Sequence, residues 1–326
     1  MEIRCVATAS LNIRLPSIDV ESSAMNKKLI EQIDSHYNGG LTKWKKRYQV
    51  LLAKDSASKK ALHIAASQLF ESYQSGHSDA LAILDKVIAC TSANKCSQIL
   101  CPACRVQRQT DASAKAISAF SQYQDHEIKF MTLLIRVEAN ASALSPLLSA
   151  FRTRLKNVLR NNVAALGVAN QGFKLLGAFE VDLKNLGTQA DASPRTQELV
   201  KKLGYNPKSI KSQYLLHLHA IVAGLDDERQ DRLTKLIEKA LGTKLHPFQL
   251  NFRSLHSNKS KNENLTNLAR YMFKARLQFA DNIHDDNLMQ KQTRYHTPFK
   301  GKMLINYLNA VNAMGNFKGL KFSFGL

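Results

Sequence analysis

One apolar run, broken at two alternate positions, constrains the chain most: Tyr214-Leu215-Leu216-His217-Leu218-His219-Ala220-Ile221-Val222. A β-strand sends successive side chains to opposite faces. Leu216, Leu218, Ala220 and Val222 therefore enter a core together, and His217 and His219 lie side by side on the other face. A second run, Gly177 to Leu183, alternates in the same way, with Phe179, Val181 and Leu183 on one face and Glu180 and Asp182 on the other. Carboxylates sit badly in such a strand unless a cation compensates them. A divalent ion held by His217, His219 and Glu180 satisfies both strands at once. Nitrogen and oxygen ligands with open positions suit Mg²⁺ or Mn²⁺ acting on a phosphate. The alternative is that the acids pair with the histidines or with nearby lysines.

These runs belong to an ordered series. Lys129 to Val137 is a β-type run, and Leu144, Leu147, Leu148, Phe151, Leu155, Val158 and Leu159 then follow a helical period. Phe173 to Leu183 is the second strand and Tyr214 to Ala223 the third. Leu233, Leu236, Ile237, Ala240 and Leu241 mark a helix, and Phe248, Leu250 and Phe252 mark a fourth strand. The order β-α-β-β-α-β predicts an α+β fold, a ferredoxin-like (split βαβ) antiparallel sheet whose helices cover one face and leave the other free for ligands. The link from Lys184 to Ser212 is too long for a hairpin. It carries Pro194, a short helix from Thr196 to Leu203 and the lysines Lys201, Lys202, Lys208 and Lys211, so it reads either as a basic insertion that touches nucleic acid or as a solvated excursion. The domain plan is a helical N-terminal region over residues 1–88, a cysteine-rich element over 89–126, the sheet domain over 127–282 and a tail over 283–326. Alternation within Gly315 to Phe324 suggests an added edge strand.

After the fourth strand, Asn264 to Ala275 reads as a helix. Leu265, Leu268, Met272, Ala275 and Phe279 form its apolar stripe, and Asn267, Tyr271, Lys274 and Gln278 a polar stripe beside it. Tyr271 and Lys274 are thus expected as neighbours. A tyrosine can attack phosphorus when a metal polarises the phosphate and a cation stabilises the developing charge.

Four of the five cysteines cluster as Cys90-x5-Cys96-x4-Cys101-Pro102-Ala103-Cys104, and Cys5 is isolated. A Cys-Pro-x-Cys knuckle with two cysteines upstream can surround one structural Zn²⁺ tetrahedrally, the alternative being unmetallated thiols. Lys plus Arg number 46 against 26 Asp plus Glu, a formal net charge of +20. Such a chain seeks a polyanion, and basic residues spread along its length favour nucleic acid over a membrane surface. No run has the apolar length of a membrane span, and Met1 to Asp19 lacks a signal-peptide core, so a cytoplasmic protein without a membrane partner is expected. The basic stretch Lys43 to Arg47, around Trp44, is either a solvated helix face or a DNA contact. His246, His256 and His296 read as surface or packing residues. No Gly-x-x-x-x-Gly-Lys-[Ser/Thr] loop is present, so no ATPase or helicase is evident.

His217-Leu218-His219 resembles the histidine–hydrophobic–histidine motif of the HUH endonucleases. Leu268-x-x-Tyr271-Met272-x-Lys274 resembles their tyrosine motif, and Phe130-Met131-Thr132-Leu133 the first motif of plasmid rolling-circle replication initiators. The cysteine segment, followed by Arg105 and Arg108, is similar to an element that precedes the nuclease domain in several such initiators. The resemblance spans roughly Lys129 to Phe279. It implies an endonuclease that nicks single-stranded origin DNA through Tyr271, with Lys274 positioning the phosphate, leaving a 5′-phosphotyrosine and a 3′-hydroxyl for a host polymerase. A host helicase would separate the strands. Some members carry a second tyrosine on this helix or a glutamate one turn before the first. This chain has Asn267 there and no second tyrosine, which leaves Glu263 as the carboxylate to consider. The alternatives are an HUH-type transposase of an insertion element and a non-catalytic zinc-containing nucleic-acid-binding protein with stacking aromatics on an open sheet face.

Overall fold

The computed structural model describes residues 31, 35, 66, 68–90, 93–166, 172–184, 194–206, 213–274, 278–282, 294–299 and 301–326. Most of the expected N-terminal helical region, with Trp44 and its basic neighbours, lies outside the described residues, as do Lys208 and Lys211. In chain order the elements are α1 Ser78–Ala89, α2 Pro102–Phe120, β1 Ile128–Glu138, α3 Leu144–Asn161, α4 Val163–Leu166, β2 Lys174–Lys184, α5 Pro194–Lys202, β3 Gln213–Ala223, α6 Asp227–Leu241, β4 Leu250–Ser254, α7 Lys261–Met272, β5 Gln278–Asn282, β6 Arg294–Pro298, α8 Gly301–Ala313, α9 Asn316–Leu320 and β7 Lys321–Phe324.

The fold is α+β. Five strands form a sheet in the order β4-β1-β3-β2-β7, antiparallel at every pairing, and β5 and β6 form a separate ribbon. β2 and β3 pair without a slip from Lys174↔Ala223 to Lys184↔Gln213. Gly177 helps set that close approach, because a Cβ there would lie 2.6 Å from the His219 carbonyl oxygen. β1 pairs with β3 through Leu133↔Leu218, and the register shifts between Leu134 and Arg136.

Every residue of β3 is buried, so both faces of the sheet are covered there. On the apolar face α3 contributes Leu144, Leu148, Phe151, Leu155 and Leu159, spaced three or four apart, and packs against α6, which buries Leu233, Ile237 and Ala240. The Phe151 ring meets Phe179 edge-on at 6.2 Å. Each fully buried Leu or Phe contributes about 1.5–3 kcal/mol by leaving water.

The histidine face is not free, contrary to expectation. α7 lies over β2 and β3, and α2 packs on α7. At the Leu215 end, the link between β2 and β3 folds back, so that Leu199, Val200, Leu203 and Tyr205 bury against Val137 and Leu215. The amphipathicity of α5 demanded an apolar partner, and the sheet supplied it. Lys201 and Lys202 stay exposed at its end.

Three boundaries moved. β4 begins at Leu250 rather than Phe248, and Phe248 is left exposed with its amide donating to His246 Nδ1 at 3.3 Å. α7 stops at Met272, and Gln278 and Phe279, read as helical, lie in β5 instead. Pairing with β6 claims these residues, which local periodicity cannot anticipate. α5 starts at Pro194, a residue suited to a first helical turn. The expected edge strand does form, as β7 beside β2. Arg152 of α3 donates to the Lys321 carbonyl of β7 at 3.4 Å and to the Gly319 carbonyl of α9, while its guanidinium lies over Phe179. Among the described residues the main apolar core runs from Ala66 to Phe322, beside the smaller cluster around Val137 and Leu215. No helix among the described residues is long and apolar enough to cross a membrane.

Candidate metal centre and neighbouring tyrosine

Register brings the first ligand set together. Glu180 of β2 lies directly opposite His217 of β3, and His219 is one step further along the same face. Glu180 Oε2 is 3.1 Å from His217 Nε2 and 3.3 Å from His219 Nε2. Two ligands at right angles about 2.1 Å from a metal would be about 3.0 Å apart, so the spacing fits one small divalent ion. The three residues are 4–5% exposed, and their ligand atoms all lie within 4.8 Å of one another. Asp182, next along the β2 face, is not part of the group.

The protonation states suit ligation. Burial alone would raise the Glu180 carboxyl, but hydrogen bonds from His217 and His219 outweigh it and hold the group well below the usual carboxylate range. His219 is pushed down to about 4, mainly by burial, against the opposing pull of its hydrogen bond to Glu180. Near neutral pH the centre thus offers a carboxylate and a neutral His219 imidazole, the forms that bind metals. Thr132 sits opposite His219 on β1, and its Oγ1 is 3.0 Å from His219 Nδ1, which aims Nε2 at the centre. His217 Nδ1 is buried with no hydrogen-bond partner, and an ion held at Nε2 would not supply one. The donor set can hold a metal ion.

Tyr271 stands on the last turn of α7 at the rim of this centre and is 39% exposed. Its ring meets His219 at 5.0 Å and Phe130 at 5.7 Å, both edge-on, and Phe130 stacks on His219 at 5.6 Å. Lys274, beyond the helix end, folds back so that Nζ lies 3.2 Å from the Tyr271 ring centroid. Its charge is also felt at Glu180 and His219. The five residues proposed from sequence for this centre therefore converge, although Lys274 arrives from a loop rather than a helix face. Glu263 does not join them. It closes a capping box with Ser260 at the start of α7, about two helical turns from Tyr271.

The four cysteines form a second group, with ligand atoms also within 4.8 Å of one another. Cys90 caps the C-terminus of α1, Cys101 caps the N-terminus of α2, and Cys104 lies in the first turn of α2. Cys104 Sγ is 3.5 Å from Cys90 Sγ and 3.6 Å from Cys96 Sγ, far beyond a disulfide length. Sulfurs at tetrahedral corners 2.3 Å from a metal would be about 3.8 Å apart, close to what is seen. The Cys96 amide donates to Cys90 Sγ at 3.3 Å. The Cys104 thiol is lowered to about 7 by its contact with Cys101, whose own thiol is driven up by the same contact. Four sulfurs this close cannot all ionise without a cation among them, so this group too can hold a metal.

Thr132 and Phe130 were visible only as part of a motif, and their roles at His219 were not read. The missing signal was the β1–β3 register, which sets Thr132 opposite His219. Comparison with protein-family models, with curated proteins and with solved structures returns no match.

Proposed function

We propose that this protein is a metal-dependent tyrosine endonuclease and strand transferase of the HUH type, acting on single-stranded DNA as a rolling-circle replication initiator. The observation that carries the reading is Tyr271 packed against His219, one of three buried metal-capable residues, with Lys274 over its ring. The strand order β4-β1-β3-β2, with α3 linking β1 to β2 and α6 linking β3 to β4, supports a split βαβ, ferredoxin-like unit extended by β7. A core tyrosine would not need a cation, a carboxylate and two histidines converging beside it.

Glu180, His217 and His219 would hold Mg²⁺ or Mn²⁺, which would supply positive charge for polarising a phosphate oxygen. Tyr271 Oη attacks phosphorus, the P–O3′ bond breaks, and the 3′ oxygen takes up a proton as the phenol proton passes to solvent. The product is a 5′-phosphotyrosine and a free 3′-hydroxyl that a host polymerase can extend. Lys274 stabilises negative charge developing on the phenol oxygen. Thr132 and Phe130 hold the His219 ring in place. The net charge of +20 favours contacts along the phosphate backbone at an origin. At the cysteines Zn²⁺ is the metal that four thiolates would take.

Covalent capture tests this. The full chain, mixed with Mn²⁺ and a pool of 3′-labelled single-stranded DNA, should yield a labelled protein band on a denaturing gel, absent with Tyr271→Phe. If no DNA gives an adduct while the pool still binds tightly, a non-catalytic nucleic-acid-binding protein replaces this reading.

A further inference from the structure

The end of α7 is where the proposed nucleophile sits, and a helix end is the least secured part of a helix. The last four carbonyls of a helix have no amide partner within it. In α7 these include the carbonyl of Arg270, the residue just before Tyr271. Gln109 reaches across from α2, and its Nε2 donates to the Arg270 oxygen at 3.1 Å. One turn further along α2, Ser113 Oγ is 3.5 Å from the Thr266 oxygen on the same helix. Ala112, Ser113 and Ala116 form the buried stripe here, small enough to let the two backbones approach.

The cysteine group lies at the start of α2. Cys101 is its N-cap and Cys104 lies in its first turn, while Cys90 belongs to the end of α1 and Cys96 to the loop between. An ion held among these sulfurs would pin the start of α2 to two other chain segments. The same loop delivers Ile99 to the wall of the cleft that holds Glu180, Met272 and Lys274.

We infer that the four-cysteine site is a positioning element for Tyr271: it anchors α2, and Gln109 of α2 caps the turn of α7 that carries the tyrosine. The inference rests on Tyr271 being the nucleophile, but the tether is physical and is measurable without catalysis. Gln109 and the cysteines touch no reacting atom and act through α7.

The test uses full-length Cys101→Ser/Cys104→Ser and Gln109→Glu, the second keeping side-chain shape while removing the donor. Three quantities are read: hydrogen exchange of a peptide spanning residues 265–274, Mn²⁺ affinity of the Glu180–His217–His219 centre by electron paramagnetic resonance, and the rate of adduct formation. Both variants should speed exchange in 265–274 with Mn²⁺ affinity unchanged within about twofold. Adduct formation should slow on the order of 10- to 100-fold, the cost of misplacing a reacting group by about 1 Å. Unchanged exchange in Gln109→Glu overturns the inference, even if the cysteine variant fails to fold. Faster exchange in both variants, in a protein that forms no adduct at all, keeps the tether and removes the endonuclease reading instead.

Discussion

The two faces of β3 are equally hidden and do opposite things. Leu216, Leu218, Ala220 and Val222 are 0% exposed, and His217 and His219 on the reverse are 4–5% exposed, so burial does not distinguish core from site. What differs is the partner each face meets. The leucines meet the aliphatic and aromatic stripe of α3 and α6, where any side chain of the right volume would serve. The histidines meet a carboxylate, a threonine hydroxyl and a tyrosine ring at fixed distances. The lesson is that an apolar strand with polar residues at alternate positions is best read as two surfaces of different purpose.

Breaking the polar face should remove binding and leave the fold. His217→Ala should abolish Mn²⁺ binding by calorimetry and lower the adduct rate on the order of 1,000-fold, several kcal/mol of lost charge stabilisation. Its thermal unfolding should still be cooperative, since Glu180 keeps His219 as a partner at 3.3 Å. Breaking the apolar face should do the reverse. Phe179 is 1% exposed and touches Phe151, Phe322 and the Arg152 guanidinium. Phe179→Ala should cost ~3–5 kcal/mol in denaturant unfolding, with Mn²⁺ affinity per folded molecule retained. If both variants lost metal and stability together, the faces would not be separable.

The smallest effect sharpens the contrast from outside the sheet. Ser260 caps α7 by accepting from the Glu263 amide, and Glu263 returns to the Ser260 amide at 2.9 Å. Ser260→Ala should cost about 1 kcal/mol. With Tyr271 about three turns away at the other end of α7, adduct formation should be nearly unchanged, which a titration of rate against enzyme concentration would check. A large loss of rate would mean that the whole helix, rather than its last turn, is what must be held.

Much of this was legible in one dimension because strands and knuckles encode geometry in spacing. The alternation of His217 with His219 and of Glu180 with Asp182 assigned faces before any fold was known, and four cysteines within fifteen positions implied crowding. Phe248 and Phe279 were misplaced for the opposite reason. Each extended a local pattern past the point where pairing with another segment took over. Lys274 reached Tyr271 by a turn beyond Phe273 that no helical wheel contains.

By itself the sequence determined which side chains share a face and which donor atoms exist to hold a metal, because those follow from the period of the backbone and the chemistry of each residue. Only the tertiary structure decided that Glu180 rather than Asp182 faces His217, that Thr132 backs His219, and that α2 and α7 close what was expected to be an open face. Those outcomes depend on strand register and on which distant apolar stripe finds which, and both are settled by packing across residues far apart in the chain.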